Sequence, residues 1–178
     1  MQASVYIATS LDGFIARVNG DLDWLAAGES ADSGEDYGYK EFLATVDILV
    51  MGRHTYEKVL TFEAWPYGSK PVVVLSGKPV PIPPHLAASV AWLSGAPGEL
   101  VQRLAERGAR HLYVDGGKTI QRFLAAGCIQ QLIITRLPII LGSGIPLFGP
   151  QTHEIRLRHI ATRQFANGFV QSQYEVVG

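Results

Sequence analysis

Val46-Asp47-Ile48-Leu49-Val50-Met51-Gly52-Arg53-His54-Thr55-Tyr56-Glu57 is the stretch whose reading decides the fold. The apolar run from Ile48 to Met51 reads as a buried strand. It stops at Gly52, where the backbone can turn tightly and a ligand can come close. Arg53, His54 and Thr55 then open a helix-compatible segment. A helix N-terminus offers free N–H groups and a positive dipole end, both suited to phosphate. Arg53 adds a planar fork that matches phosphate oxygens. The pattern of a strand running into glycine returns at Leu112-Tyr113-Val114-Asp115-Gly116-Gly117-Lys118-Thr119. Two such turns in one small protein point to a ligand with more than one phosphate, such as a dinucleotide.

Outward from these turns, strands and helices alternate. Ser4 to Thr9 predicts a first strand closed by Leu11-Asp12-Gly13, and Gly28 to Asp36 is a Gly-, Ser- and acid-rich loop. Tyr39, Phe42 and Leu43 have helical spacing, which predicts a helix from Asp36 to Leu43. Pro71 to Leu75 is a β-branched run of the kind found in central strands. Pro79 to Pro84 carries four prolines and is a surface connection. Ser89 to Leu93 reads as a strand. Glu99 to Arg107 puts Leu100, Val101 and Leu104 on one helical face, and Gly108 is a suitable stop. His111 to Val114 is a strand, Lys118 to Ala126 a helix ended by Gly127, and Leu132 to Thr135 a further strand. Asn167-Gly168 lies between two strand-like runs and predicts a two-residue hairpin turn. The expected architecture is one α/β domain spanning 1–178, its mostly parallel sheet flanked by helices and closed by an antiparallel C-terminal hairpin.

The 178 residues suffice to bury roughly 70% of the unfolded surface. Hydrophobic residues make up 47% and charged residues 17%, so the chain folds rather than remaining disordered. Net charge is −1 without a basic block, which argues against nucleic acid as a partner. The single Cys128 excludes an internal disulfide framework and fits a reducing compartment. There is no signal-peptide pattern, and Pro and Gly interrupt every apolar run short of the ~20 residues of a membrane span. A cytoplasmic protein that meets neither membrane nor nucleic acid is expected.

Several signatures fail. No G-x-G-x-x-G follows the first strand, so a standard Rossmann site is not expected. Gly117-Lys118-Thr119 resembles the end of a P-loop, but Leu112 stands where the upstream glycine belongs. Ser76-Gly77 is no nucleophile elbow, because Val74 breaks G-x-S-x-G. The five histidines are scattered, and no metal site is expected.

Met51 to Glu57 closely resembles the cofactor-binding turn of dihydrofolate reductases, Val72-Val73-Val74-Leu75-Ser76 their next strand, and Val114 to Thr119 their glycine pair. Ser10 to Ala16, Gly20-Asp21-Leu22-Asp23-Trp24 and Leu137 to Phe148 are more similar to the reductase domain of bifunctional riboflavin-biosynthesis enzymes. The resemblance covers nearly the whole chain in the right order. It implies a three-layer dihydrofolate reductase-like fold, an NADPH cofactor, a small-molecule substrate and a homodimer. Arg53, His54 and Thr55 would hold the adenosine phosphates, with Leu75, Ser76 and Lys78 near the 2′-phosphate. Gly52, Gly116, Gly117, Lys118 and Thr119 would form the turns around the phosphates, and Ala8 and Ile15 would touch the nicotinamide.

On the substrate side, Asp36 takes the place of the pterin-binding carboxylate of dihydrofolate reductases. It would be a buried group that fixes the substrate and helps protonate it. Thr135 falls at the hydroxyl partner of that carboxylate. Lys70 stands where those enzymes keep an Arg, and Asp23 where they keep a Pro. Both departures turn the expectation from folate toward the riboflavin-pathway reductases, where hydride opens a phosphorylated ribose and Lys70 could bind the phosphate; a dihydrofolate reductase and a non-catalytic NADPH-binding protein are the alternatives. The zinc signature of the accompanying deaminase, H-x-E with P-C-x-x-C, is missing from the chain. Plainer readings stand beside these. Asp36 suits a helix N-cap, Trp24 and Tyr39 suit the core as well as a substrate wall, Lys70 suits a solvated strand end, and Cys128 a small buried apolar position.

Overall fold

Strands buried on both faces read as continuous apolar runs, and such runs make the centre of this molecule. The computed structural model describes residues 1–26 and 34–177. In chain order its elements are β1 (Gln2–Thr9), β2 (Phe14–Ala16), α1 (Asp23–Ala26), α2 (Tyr39–Thr45), β3 (Ile48–Gly52), α3 (Arg53–Val59), β4 (Val72–Leu75), a single 3-10 turn (Pro84–Leu86), β5 (Val90–Leu93), α4 (Pro97–Glu106), β6 (His111–Asp115), α5 (Gly117–Ala125), β7 (Gln131–Arg136), β8 (Ile145–Pro146), β9 (Arg156–Gln164) and β10 (Val170–Val177). Eight of the strands form one sheet in the order β5-β4-β3-β6-β1-β7-β10-β9. β5 through β7 run parallel, while β10 and β9 are antiparallel at one edge. β2 and β8 form a small separate pair that the sequence did not suggest.

The period-2 alternation of strands sends β3 into two cores. Val50 packs with Leu100 and Leu104 of α4 and with Ile120 and Phe123 of α5. Leu49 and Met51 pack on the other face with Phe42 of α2, Tyr56 of α3 and Tyr113 of β6. This is the expected three-layer, dihydrofolate reductase-like arrangement. Each fully buried Leu, Ile or Phe contributes about 1.5–3 kcal/mol relative to exposure, so both layers are needed to hold the sheet.

Connectivity positions the site. From β3 the chain steps outward to β4 and β5, then returns to the other side of β3 as β6. Ligands of open α/β sheets bind beyond the carboxyl ends of the strands at such a reversal. Here the helices leaving β3 and β6 also depart to opposite faces, since Tyr56 and Ile120 lie in different cores.

Three expectations are corrected. The C-terminal hairpin turns through three residues, Ala166-Asn167-Gly168. Phe165 N–H donates to Phe169 O at 2.9 Å, and Gly168 N–H to Phe165 O at 3.0 Å. Gly168 has φ 86°, so a three-residue turn closed by a left-handed glycine replaces the two-residue form. The helix expected from Asp36 starts only at Tyr39, because Tyr37 (φ 57°) and Gly38 (φ 86°) are both left-handed. The short helix α1 around Trp24 was not anticipated. The stretch read as a loop from Gly28 lies outside the described residues as far as residue 33, and Gly34 to Asp36 is irregular. Cys128 is half-buried against the α4/α5 core rather than enclosed.

Candidate active site

β3 and β6 end side by side, with Met51 paired to Asp115. Gly52 has φ −76°, so no tight left-handed turn requires glycine there. A Cβ at Gly52 would lie 2.7 Å from Thr119 Oγ1, and one at Gly116 would collide with Thr55 Oγ1. Each glycine therefore faces the threonine of the other turn, and the two turns interlock. Gly116 has φ 91°, which a side chain rarely adopts. A Cβ at Gly117 would sit 3.0 Å from Ile15 Cδ1, which places Ile15 against the start of α5. No side chain caps the first turn of α5. Its leading N–H groups are left for a ligand at the reversal point.

The charged residues gather around this crevice. Arg53 Nε donates to Glu57 Oε1 at 2.7 Å, and that bond holds the Glu57 carboxyl below its ordinary pKa. His54 is 91% exposed, 3.5 Å from Glu57. Ser76, just past the end of β4, accepts from Lys78 N–H at 3.2 Å. Ser76 and Leu75 line a cavity of about 140 Å³ together with Ser94, Gly95 and Arg122. Sequence reasoning missed Arg122, although it stands four residues after Lys118 on the same helix. Ala8, near the carboxyl end of β1, packs with Trp24.

The substrate-side residues are only partly brought together. Asp115, at the carboxyl end of β6, was not singled out from the sequence. Its Oδ1 accepts Gly116 N–H at 2.8 Å, and Oδ2 has no partner among the described residues. The residue shows some surface yet sits deep in the fold, and this desolvation raises its pKa to about 6. Around it stand Tyr39, Tyr67 and Tyr113. Burial foremost, and then the neighbouring Asp115 charge, push all three phenols up. Tyr39 packs edge-on to Tyr6 at 5.4 Å and to Tyr113 at 6.4 Å, and Tyr67 packs edge-on to Trp65 at 5.1 Å. Tyr113 donates to Tyr6 O at 2.9 Å, while the hydroxyls of Tyr39 and Tyr67 bond to none of the described residues.

Asp36 is neither buried nor raised. It accepts from Gly38 N–H and Lys40 N–H, each at 3.0 Å, and these bonds hold its carboxyl below the ordinary range. That is the work of a helix cap. The hydroxyl of Thr135 instead accepts from Gln171 Nε2 at 2.9 Å, and the same amide reaches Tyr6 Oη and Tyr37 O, each at 3.1 Å. Lys70 precedes β4 at the end opposite the glycine turns, where its ammonium donates to Val46 O at 2.6 Å. Trp24 is buried with Leu137 and Phe169, and its indole N–H finds no partner among the described residues. Thr9, adjacent to Ala8 but on the opposite face of β1, lines a separate cavity of about 260 Å³ with Ile134, Arg136, Leu147 and Phe148.

The signal for Asp115 was its place between a central apolar run and a glycine pair. Tyr67 and Gln171 carried no such signal, since they reach the site from the α3–β4 connection and from β10.

Residues 4–171 match the RibD C-terminal domain family. The uncharacterized protein YwjB of Bacillus subtilis (strain 168) is 37% identical over 173 residues, covering 96% of this chain and 95% of that protein. A putative riboflavin biosynthesis protein from Shewanella sp. PV-4 superposes with a TM-score of 0.93 at 38% identity, covering 100% of both chains. The Thermotoga maritima diaminohydroxyphosphoribosylaminopyrimidine deaminase/5-amino-6-(5-phosphoribosylamino)uracil reductase shares the fold at TM-score 0.76 and 14% identity, over 99% of this chain and 56% of that one. The NADP(H)-complexed dihydrofolate reductase of Enterococcus faecalis does so at 0.67 and 16%, over 99% and 97%.

Proposed function

The chain belongs to the RibD C-terminal domain family, and on that premise we propose that it is an NADPH-dependent reductase of a small C=O or C=N substrate, related in its reaction to the 5-amino-6-(5-phosphoribosylamino)uracil reductases. The observation that carries this reading is the pair of interlocked glycine turns at the sheet's reversal point. There Gly52 and Gly116 admit no Cβ, and α5 begins without a side-chain cap. A diphosphate fits such a place.

When bound, NADPH supplies the hydride; the rest is the work of this chain. Gly116, Gly117, Lys118 and Thr119 wrap the diphosphate. Arg53, His54 and Thr55 hold the adenosine end, while Ser76, Lys78 and Arg122 favour the 2′-phosphate. Ala8 and Ile15 orient the nicotinamide. The heteroatom of the reduced double bond would need a proton from this chain. Asp115 Oδ2 is the proton source this geometry favours, because its carboxyl keeps the proton up to a pH of about 6. Asp36 is the alternative source. Dihydrofolate reduction is the alternative reaction; the engagement of Lys70 with Val46 O removes that lysine from both readings.

We take the enzyme to act as a homodimer of single domains in the reducing cytoplasm. No helix among the described residues is long and apolar enough to cross a membrane. The test is a parallel titration with NADPH and NADH, followed by tryptophan fluorescence. Saturable NADPH binding, with NADH at least about tenfold weaker, is expected; no saturable binding of either ends the reductase reading.

A further inference from the structure

The substrate half of the cleft has an electrostatic character of its own. The carboxyl of Asp115 offers one free oxygen, and Tyr39 and Tyr67 offer free hydroxyls beside it. The walls are the rings of Tyr6, Phe42, Trp65 and Tyr113, with Tyr6 stacked on Phe42 at 4.9 Å. Among the described residues, no Lys, Arg or His bonds to the side chain of Asp115, Tyr39, Tyr67 or Tyr113.

Several bases of this region are engaged or offset. Lys70 is bound to a carbonyl at the far end of the sheet. Arg17 pairs with Asp23, Lys58 with Asp21 and Arg53 with Glu57. Lys40 lies beside Asp36. Arg163 sits over the Phe165 ring and acts on Tyr6 together with the opposing charges of Asp36 and Glu35.

A phosphate entering such a place would lose its hydration without gaining a partner, whereas a planar ring gains aromatic walls, and a cation gains both the walls and a carboxylate. We propose that this half of the cleft selects a planar group without negative charge, neutral or cationic, and rejects a phosphorylated or carboxylated one. The proposal rests on the reductase reading and narrows its substrate class. It sets the chain apart from a reductase whose substrate carries a phosphoribosyl group.

Benzamidine, benzamide and benzoate have nearly the same shape and differ in charge. The NADPH-saturated protein is titrated with each at pH 7.5 and read by tryptophan fluorescence. Benzamidine is expected to bind at least about tenfold tighter than benzoate, with benzamide between them. In Asp115→Asn, the gap between benzamidine and benzoate should shrink several-fold while NADPH affinity holds. Benzoate binding as well as benzamidine, no binding by any of the three, or a gap unchanged in Asp115→Asn would each overturn the proposal. A protein that fails to bind NADPH but keeps the probe order when titrated alone would instead refute the reductase reading and leave the charge preference standing. At the level of turnover, 5-amino-6-ribosylaminouracil should be reduced faster than its 5′-phosphate; the reverse preference overturns the proposal.

Discussion

The two halves of the cleft are built by different rules. The proposed cofactor half comes from two copies of one local device, a strand running into glycine and then a helix, set next to each other by sheet order. The substrate half has no repeated device. Its groups come from β1 (Tyr6), α2 (Tyr39), the α3–β4 connection (Trp65, Tyr67), β6 (Tyr113, Asp115) and β10 (Gln171). A half made of local motifs can change its substrate partner without losing its cofactor. A half assembled from distant residues can be retuned one side chain at a time.

That contrast is broken most severely at the interlock. Gly116→Ala must take a left-handed backbone and push a methyl into Thr55. We expect it to lose about 3 kcal/mol of stability in urea unfolding, from backbone strain and overpacking together. A midpoint within error of the parent would show that the turns do not interlock.

Asp115→Asn separates the halves. It should lower turnover about 100-fold, remove the titration near pH 6 from the rate profile, and leave NADPH affinity nearly unchanged. Its stability should also respond in a defined direction. The folded-state pKa of about 6 lies above the ordinary 3.8, so the folded protein holds this proton more tightly than the unfolded chain. Asp115 therefore contributes a loss of stability as pH rises from about 4 to about 6 that persists above, against the opposite contribution of the carboxyls held low, such as Asp36 and Glu57. The Asn variant should lack that decline, giving a protein more stable at pH 8 and less active. Thermal unfolding at pH 4 and pH 8 measures both slopes, and parallel slopes would mean that Asp115 is not desolvated.

Arg53→Ala touches only the cofactor half. NADPH binding should weaken about tenfold with kcat little changed; an unaltered Kd would remove Arg53 from the site. The smallest effect is expected for Asp36→Asn. Its two bonds to Gly38 and Lys40 describe a cap, so a loss of up to about 1 kcal/mol with turnover near the parent's is expected. A hundredfold fall in rate would make Asp36 the proton source and reverse the assignment to Asp115.

Legibility followed the same division. Met51 to Glu57 and Val114 to Thr119 could be read in advance because each strand, glycine and helix start is contiguous, and their chemistry follows from backbone geometry. The alternation of runs also announced the parallel sheet and its antiparallel edge. Gly52 was expected to permit a tight turn, but its φ of −76° needs no glycine; what excludes a side chain there is Thr119, 67 positions away. Asp36 and Thr135 were expected to meet, yet Gln171 satisfies Thr135 and the start of α2 satisfies Asp36.

By itself the sequence determined most of the elements, their layer pattern and the two glycine turns, because periodicity and glycine placement are set by neighbours along the chain. Only the tertiary structure decided which acid is desolvated, which hydroxyls are left free and which lysine is already engaged. Those properties depend on what surrounds a group in space. For Asp115, Tyr67, Lys70 and Gln171, many of those surroundings are residues far away in sequence.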